Sequence, residues 1–414
     1  MKVLFTESDD ENNKFPGGLP SLEDYKYLEE AGALRVDSPL KLNSGLQVPY
    51  TTDYSQLSRY VYGNDGEIFD IEASTRISQV GTWKCPMQAL LDPNLGAQER
   101  KQVIEMNNRL LNEFSVNPAD VTILLSGVNV TVGGQSRESD WLTNINFIGS
   151  GPESFKNPDV VLVYSHGGSV REQTTAKSLY LPTILAVLKG HYGLSALVIA
   201  PNHAGSYRKN EYQALGSRYR EILVADLLAQ ELKSPRVWAG ISMGGHTVAN
   251  LSSFGGELPS GVLLMQPAAY SEDADKAADR QSFSTAIRRK ATDGQPSWTT
   301  SPSFNSLGQY VEKGGKARII MSIGDSVIPT GVIKMYMSLG NTERAEALEE
   351  LDAELVQVAG FYQKHLTFNT AVGSLKQFGN GSVDTKSVPG SHVDTTAQEI
   401  VAICDFIKGI VLER

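Results

Sequence analysis

The sequence predicts an α/β protein built on a mostly parallel sheet of eight strands with helices on both faces. Three observations lead there. From about residue 121, short apolar runs alternate with helical segments, the order expected of parallel strands joined by crossover helices. One apolar run ends in Gly240-Ile241-Ser242-Met243-Gly244 and passes directly into a segment able to start a helix, giving strand, sharp turn, helix. Residues capable of nucleophilic and acid–base chemistry follow the ends of the later runs, where ligands bind in such sheets.

Taken in order, residues 8–20 are polar and rich in glycine and proline, a lead-in rather than an element. Ser21 and Asp24 read as the cap of a first helix that Gly32 would end. Residues 33–80 mix apolar runs with turn residues and yield no clear order. From Gln98 to Phe114 the spacing of Val103, Met106, Leu110 and Phe114 predicts an amphipathic helix, stopped by Asn117-Pro118. Eight strands are then expected at residues 121–125, 141–148, 160–164, 196–200, the run before Ser242, 262–265, 317–323 and 382–388. This divides the chain into a partly helical N-terminal extension, residues 1–120, and a catalytic domain, residues 121–414. Two connections exceed what a crossover helix needs. Residues 268–316 are polar with a helix expected at 274–289, and residues 331–372 carry a helix with Leu348, Leu351, Leu355, Val358 and Tyr362 on one face.

Composition narrows the function. A formal net charge of −10 with no basic stripe argues against a nucleic-acid partner. No run is long enough to span a bilayer and the acidic start lacks a leader's apolar stretch, so a cytoplasmic protein with no membrane partner is expected. The two cysteines, Cys85 and Cys404, read as free buried thiols rather than a disulfide. The histidines lack ligand spacing, so neither a metal nor a cofactor is implied.

A serine hydroxyl needs a base to take its proton and an acid to orient that base. Ser242, on the tight turn, is the expected nucleophile; Gly240 and Gly244 suit a turn with no room for side chains. Of six histidines, His246 sits on the following helix, His191 in a polar turn and His365 near the end of a helix, while His166 and His203 follow strands and could line the pocket with His246. His392, in Gly390-Ser391-His392 after the last strand, is the expected base. Asp325, directly after the seventh strand, is the expected acid, with Asp273 in reserve. For the oxyanion, the backbone N–H of Met243 supplies one donor and that of Gly168 or Ser169, in His166-Gly167-Gly168-Ser169, the other.

These motifs resemble the α/β-hydrolase superfamily: His166-Gly167-Gly168 its oxyanion segment, Gly240 to Gly245 its nucleophile elbow, Gly324-Asp325 its acid loop and Gly390-Ser391-His392 its histidine loop, in the order Ser, Asp, His. Asn202, in Pro201-Asn202-His203-Ala204-Gly205-Ser206, stands where the family often has aspartate. The resemblance spans residues 121–414 and identifies no subfamily. It implies that residues 268–316 form a helical lid, and a serine hydrolase acting on an ester, thioester or related acyl bond of a small or medium molecule. Acyl transfer or carbon–carbon bond hydrolysis would use the same triad, and a catalytically silent binding module is the reading from another class. Arg171, Arg208, Arg288 and Arg289 could each meet a substrate carboxylate, although solvated charge is the plainer reading. The apolar helix face in the N-terminal extension needs a partner, and the core, the lid or a second subunit of a homodimer would serve.

Overall fold

The computed structural model describes residues 32–35, 75–87, 96–132, 141–167, 181–202, 215–251, 257–267, 307, 310–322, 383–390 and 395–413. The chain divides into two compact units: residues 1–238 with 255–257 and 407–414, and residues 239–254 with 258–406.

In the first unit the elements are β1 (Leu34–Arg35), β2 (Thr75–Pro86), α1 (Ala97–Glu113), β3 (Thr122–Val132), β4 (Trp141–Gly149), β5 (Val160–Ser165), α2 (Leu181–Gly190), β6 (Ala196–Asn202), α3 (Leu215–Gln230) and the first half of β7 (Arg236–Ile241). Their strand order is β1-β2-β3-β4-β6-β5-β7. Strand β4 is antiparallel to both neighbours, β3 and β6, and β5 is parallel to β6, so β3, β5 and β6 share one direction. Strands β5 and β6 are apolar on both faces and buried, as the continuous runs predict. Helix α2 is buried from Leu181 to Leu188, the expected environment of a helix apolar all round.

Helix α1 forms within one residue of expectation, but its buried face is Asn107, Leu110 and Leu111, with Phe114 buried just beyond its end and Val103 and Met106 only half-buried. The face is rotated because α1 packs on α2, and Thr183 of α2 donates a buried hydrogen bond to Asn107 Oδ1 at 2.9 Å. A polar residue therefore sits where periodicity alone seeks an apolar one. The helix also stops before Asn117-Pro118. Ser115 turns left-handed, its N–H bonds Asn112 O at 3.0 Å, and the N–H of Val116 bonds Leu111 O at 2.9 Å, closing a Schellman motif without glycine.

A buried cluster joins α3 to β7. Asp226 accepts from Arg236 Nη1 and, at 2.6 Å, from the indole N–H of Trp238. Arg236 also reaches the backbone oxygen of Glu257 at 3.1 Å. Both members of the ion pair are almost fully buried, so the fold depends on keeping them together.

The second unit holds the end of β7, α4 (Met243–Leu251), β8 (Gly261–Met265), β9 (Ala317–Ser322), β10 (Val383–Val388) and most of α5 (Ala397–Leu412). The order is β7-β8-β9-β10, with β8, β9 and β10 mutually parallel. Arg318 of β9 binds these pieces together: Nε donates to Asp384 of β10 at 2.7 Å, Nη1 to Ala402 O of α5 at 2.6 Å, and the guanidinium lies 5.3 Å from the Phe406 ring centre.

All eight expected strands are present, and among the described residues β1 and β2 add to them at the edge beyond β3. Strand β2 escapes a sequence reading because its pairing with β3 skips a residue between Gln79 and Gly81. That bulge shifts the two-residue alternation midway, so no single face runs through the strand. Cys85 and Cys404 are free and buried, as expected, and burial pushes the Cys85 thiol up to about 12. Among the described residues no helix is long and apolar enough to cross a membrane.

Candidate active site

Strand β7 ends at Ile241 and α4 begins at Met243, leaving one residue, Ser242, to make the whole turn. Such a turn requires a left-handed backbone, and Ser242 has φ of 53°. For a residue with a Cβ this costs roughly 1–2 kcal/mol. The surroundings supply the compensation. The Ser242 N–H donates to Met265 O, the last carbonyl of β8, at 3.0 Å. Thr247, Val248 and Ala249 anchor α4 in the core.

Glycines make room for the turn. A Cβ on Gly240 would lie 2.6 Å from the carbonyl carbon of Gly244 and 2.8 Å from the nitrogen of Gly245, as the tight turn predicts. Gly245, which the elbow motif includes without a steric role of its own, is equally constrained: a Cβ there would come within 2.8 Å of Pro267 Cβ. The doubled Gly244-Gly245 was the available signal of that constraint.

Ser242 remains partly exposed in this setting. Met243 is the first residue of α4, so its N–H is among those a helix leaves without an intrahelical acceptor, at the positive end of the helix dipole. His246 lies one turn into α4. His166 follows β5 and is fully buried, its Nδ1 2.7 Å from Gly167 O. A carbonyl only accepts, so Nδ1 carries the proton and the ring braces its own loop. His191 is structural: its Nδ1 lies 3.2 Å from Phe114 O and its ring meets Phe114 edge-on at 5.5 Å.

Asp325, His392, Gly168, Ser169, His203 and Asp273 lie outside the described residues, as do His365, Arg171, Arg208, Arg288, Arg289 and segments 268–306 and 331–372. The strands that precede Asp325 and His392 in the sequence are described. Ser322 ends β9 and Val388 ends β10, and the two are paired in register. Met265 of β8 is paired with Ile320 of β9. Ser242 and the starting points of both segments therefore lie at the carboxyl edge of three adjacent parallel strands. The return of the histidine segment is fixed too, since Thr396 Oγ1 donates to Pro389 O at 3.0 Å and accepts from the Glu399 N–H at 3.3 Å, capping α5.

Three residues that the sequence reading passed over stand at this edge. Gln266, immediately after β8, has φ of 40° and is 2% exposed. Its Nε2 donates to Ser322 Oγ at 2.7 Å and to Glu399 Oε1 at 2.9 Å. A glutamine between an apolar strand and Pro267, and a carboxylate beside Ile400 in an apolar helix, were the signals. Among the described residues no group of three His, Cys, Asp or Glu side chains could hold a metal ion.

No protein-family model matches the chain, and no curated protein matches it. Solved structures that it resembles include the S-formylglutathione hydrolase FrmB of Staphylococcus aureus, at 16% identity over 69% of this chain and 96% of that one, with a TM-score of 0.38. The fluorophosphonate-binding serine hydrolase FphF of the same organism is 17% identical over 69% and 98%, with a TM-score of 0.39. Est1E from Butyrivibrio proteoclasticus is 12% identical over 65% and 96%, also at 0.39. At such identities the assignment rests on the chain's own topology. The neighbour relations β3-β4-β6-β5-β7 and β7-β8-β9-β10, with β4 reversed and a one-residue elbow after β7, give the chain the α/β-hydrolase fold that its motifs resemble.

Proposed function

We propose that the protein is a serine hydrolase that cleaves an ester, thioester or related acyl bond of a small or medium molecule through an acyl-enzyme on Ser242. The observation that supports it is the backbone of Ser242, held left-handed between β7 and α4 with its amide tied to Met265. Strain of this kind at a partly exposed serine has a use in presenting a nucleophile.

In this reading Ser242 Oγ attacks the acyl carbon while His392 takes its proton and Asp325 orients the imidazole. The N–H groups of Met243 and of Gly168 or Ser169 hold the oxyanion. The imidazolium returns the proton to the leaving alkoxide or thiolate. Water, deprotonated by the same imidazole, then releases the acid and restores the hydroxyl. Reach supports the assignment. Asp325 lies three residues beyond the end of β9 and His392 four beyond the end of β10. Such tethers extend about 10 Å for three residues and about 14 Å for four, against about 10 Å for the two strand spacings from β9 to β7 and about 14 Å for the three from β10.

The test is a fluorophosphonate probe with the adduct mapped by mass. Ser242 is expected to carry the label, and Ser242→Ala should lower p-nitrophenyl ester turnover at least about a thousandfold with melting unchanged. Wild-type turnover in Ser242→Ala would overturn the reading. In the same assay Asp325→Asn should be slow and Asp273→Asn normal; the reverse moves the acid to Asp273.

A further inference from the structure

We propose that Gln266 is a positioning residue for the chemistry of Ser242, acting through Ser322 and Glu399; this rests on the serine-hydrolase reading. Gln266 follows the carbonyl of Met265 that holds the Ser242 amide, and its own N–H bonds Ile320 O at 2.8 Å. Its Nε2 joins Ser322 and Glu399, side chains from the end of β9 and the first turn of α5, which are 1% and 4% exposed. The amide orientation is dictated by the carboxylate: turned over, the Gln266 oxygen would face Glu399 Oε1, acceptor against acceptor. Gln266 Oε1 has no hydrogen-bond partner among the described residues, so its side chain is held there through the nitrogen alone.

The two partners are the roots of the segments that carry the proposed acid and base. Asp325 is three residues beyond Ser322, and the segment with His392 ends in the Thr396 cap of the turn that holds Glu399. One buried amide thus fastens the strand end beside the nucleophile to both. Directional bonds in a site closed to water fix these roots more narrowly than apolar contact would. The left-handed backbone of Gln266 is of the kind retained where geometry matters to function.

A purely structural role would lower the melting temperature and leave kcat alone below it. A positioning role lowers kcat at constant KM. The experiment uses the full chain and begins with the wild type: failure of a fluorophosphonate probe to label Ser242 would sink the serine-hydrolase reading and this proposal together. With labelling established, Gln266→Met keeps the side-chain volume and removes both bonds. Its kcat for a p-nitrophenyl ester should fall about tenfold to a hundredfold, at unchanged KM and with labelling slowed in step. Gln266→Glu sets two carboxylates against each other and should be slower still, and combining it with Glu399→Gln should restore much of the rate by reversing donor and acceptor. Wild-type kcat in Gln266→Met overturns the positioning role while leaving the hydrolase reading intact. If Gln266→Met does not fold, Ser322→Ala decides, because it deletes one bond only: a lower kcat at unchanged KM upholds the proposal and an unchanged kcat overturns it.

Discussion

Among the described residues four other than glycine hold a positive φ, two in each compact unit, and the two pairs serve different ends. In the first unit Ser115 and Lys233 follow the helices α1 and α3, both exposed, with neighbouring amides closing on the last helical carbonyls. There the left-handed turn is a stop signal, and glycine would perform it as well. In the second unit Ser242 and Gln266 follow the strands β7 and β8. Glycine would relax the backbone at either place but would remove the hydroxyl of one and the amide of the other. The same backbone conformation thus ends helices in one unit and, in the proposed mechanism, aims side chains in the other. The first unit invests instead in packing and in the Asp226–Arg236–Trp238 cluster.

Three substitutions would break or sharpen this contrast. Asp226→Ala strands a buried guanidinium and should cost about 3–5 kcal/mol in a urea melt, with kcat per folded molecule unchanged; a matching loss of kcat would make the first unit part of the catalytic apparatus. Gly240→Ala forces a methyl group against the start of α4 and should cost about 1–3 kcal/mol, while also abolishing fluorophosphonate labelling, so stability and activity fall together only at the elbow. Ser115→Gly relieves an exposed left-handed residue and should stabilise by about 0.5–1 kcal/mol without touching turnover. Destabilisation there would show that Ser115 does more than end a helix.

The parallel strands were legible because burial on both faces leaves continuous apolar runs, as in Val160-Val161-Leu162-Val163 and Val262-Leu263-Leu264. The elbow was legible because its steric demand writes glycine directly into the sequence. Strand β2 was hidden by its bulge, and the face of α1 by Asn107, whose burial is explained only by Thr183 on another helix. Gln266 and Glu399 were hidden for a similar reason: 133 positions separate them, and neither belongs to a local pattern. Periodicity and short motifs report what a residue does for its own element. Long-range polar pairing leaves no such trace.

The bond from Ser242 to Met265 also bears on how the protein comes into being. The elbow's amide partner and the proline seated against Gly245 both belong to chain that is synthesised later, on β8 and just beyond it. A ribosome that has delivered only β7 and α4 has made the serine but not the lock that holds its backbone left-handed. Until β8 docks, the strained turn lacks the hydrogen bond to Met265 that helps to hold it. The hydroxyl is therefore an unremarkable serine during synthesis, and acquires its presented geometry only when the strand beside it is in place.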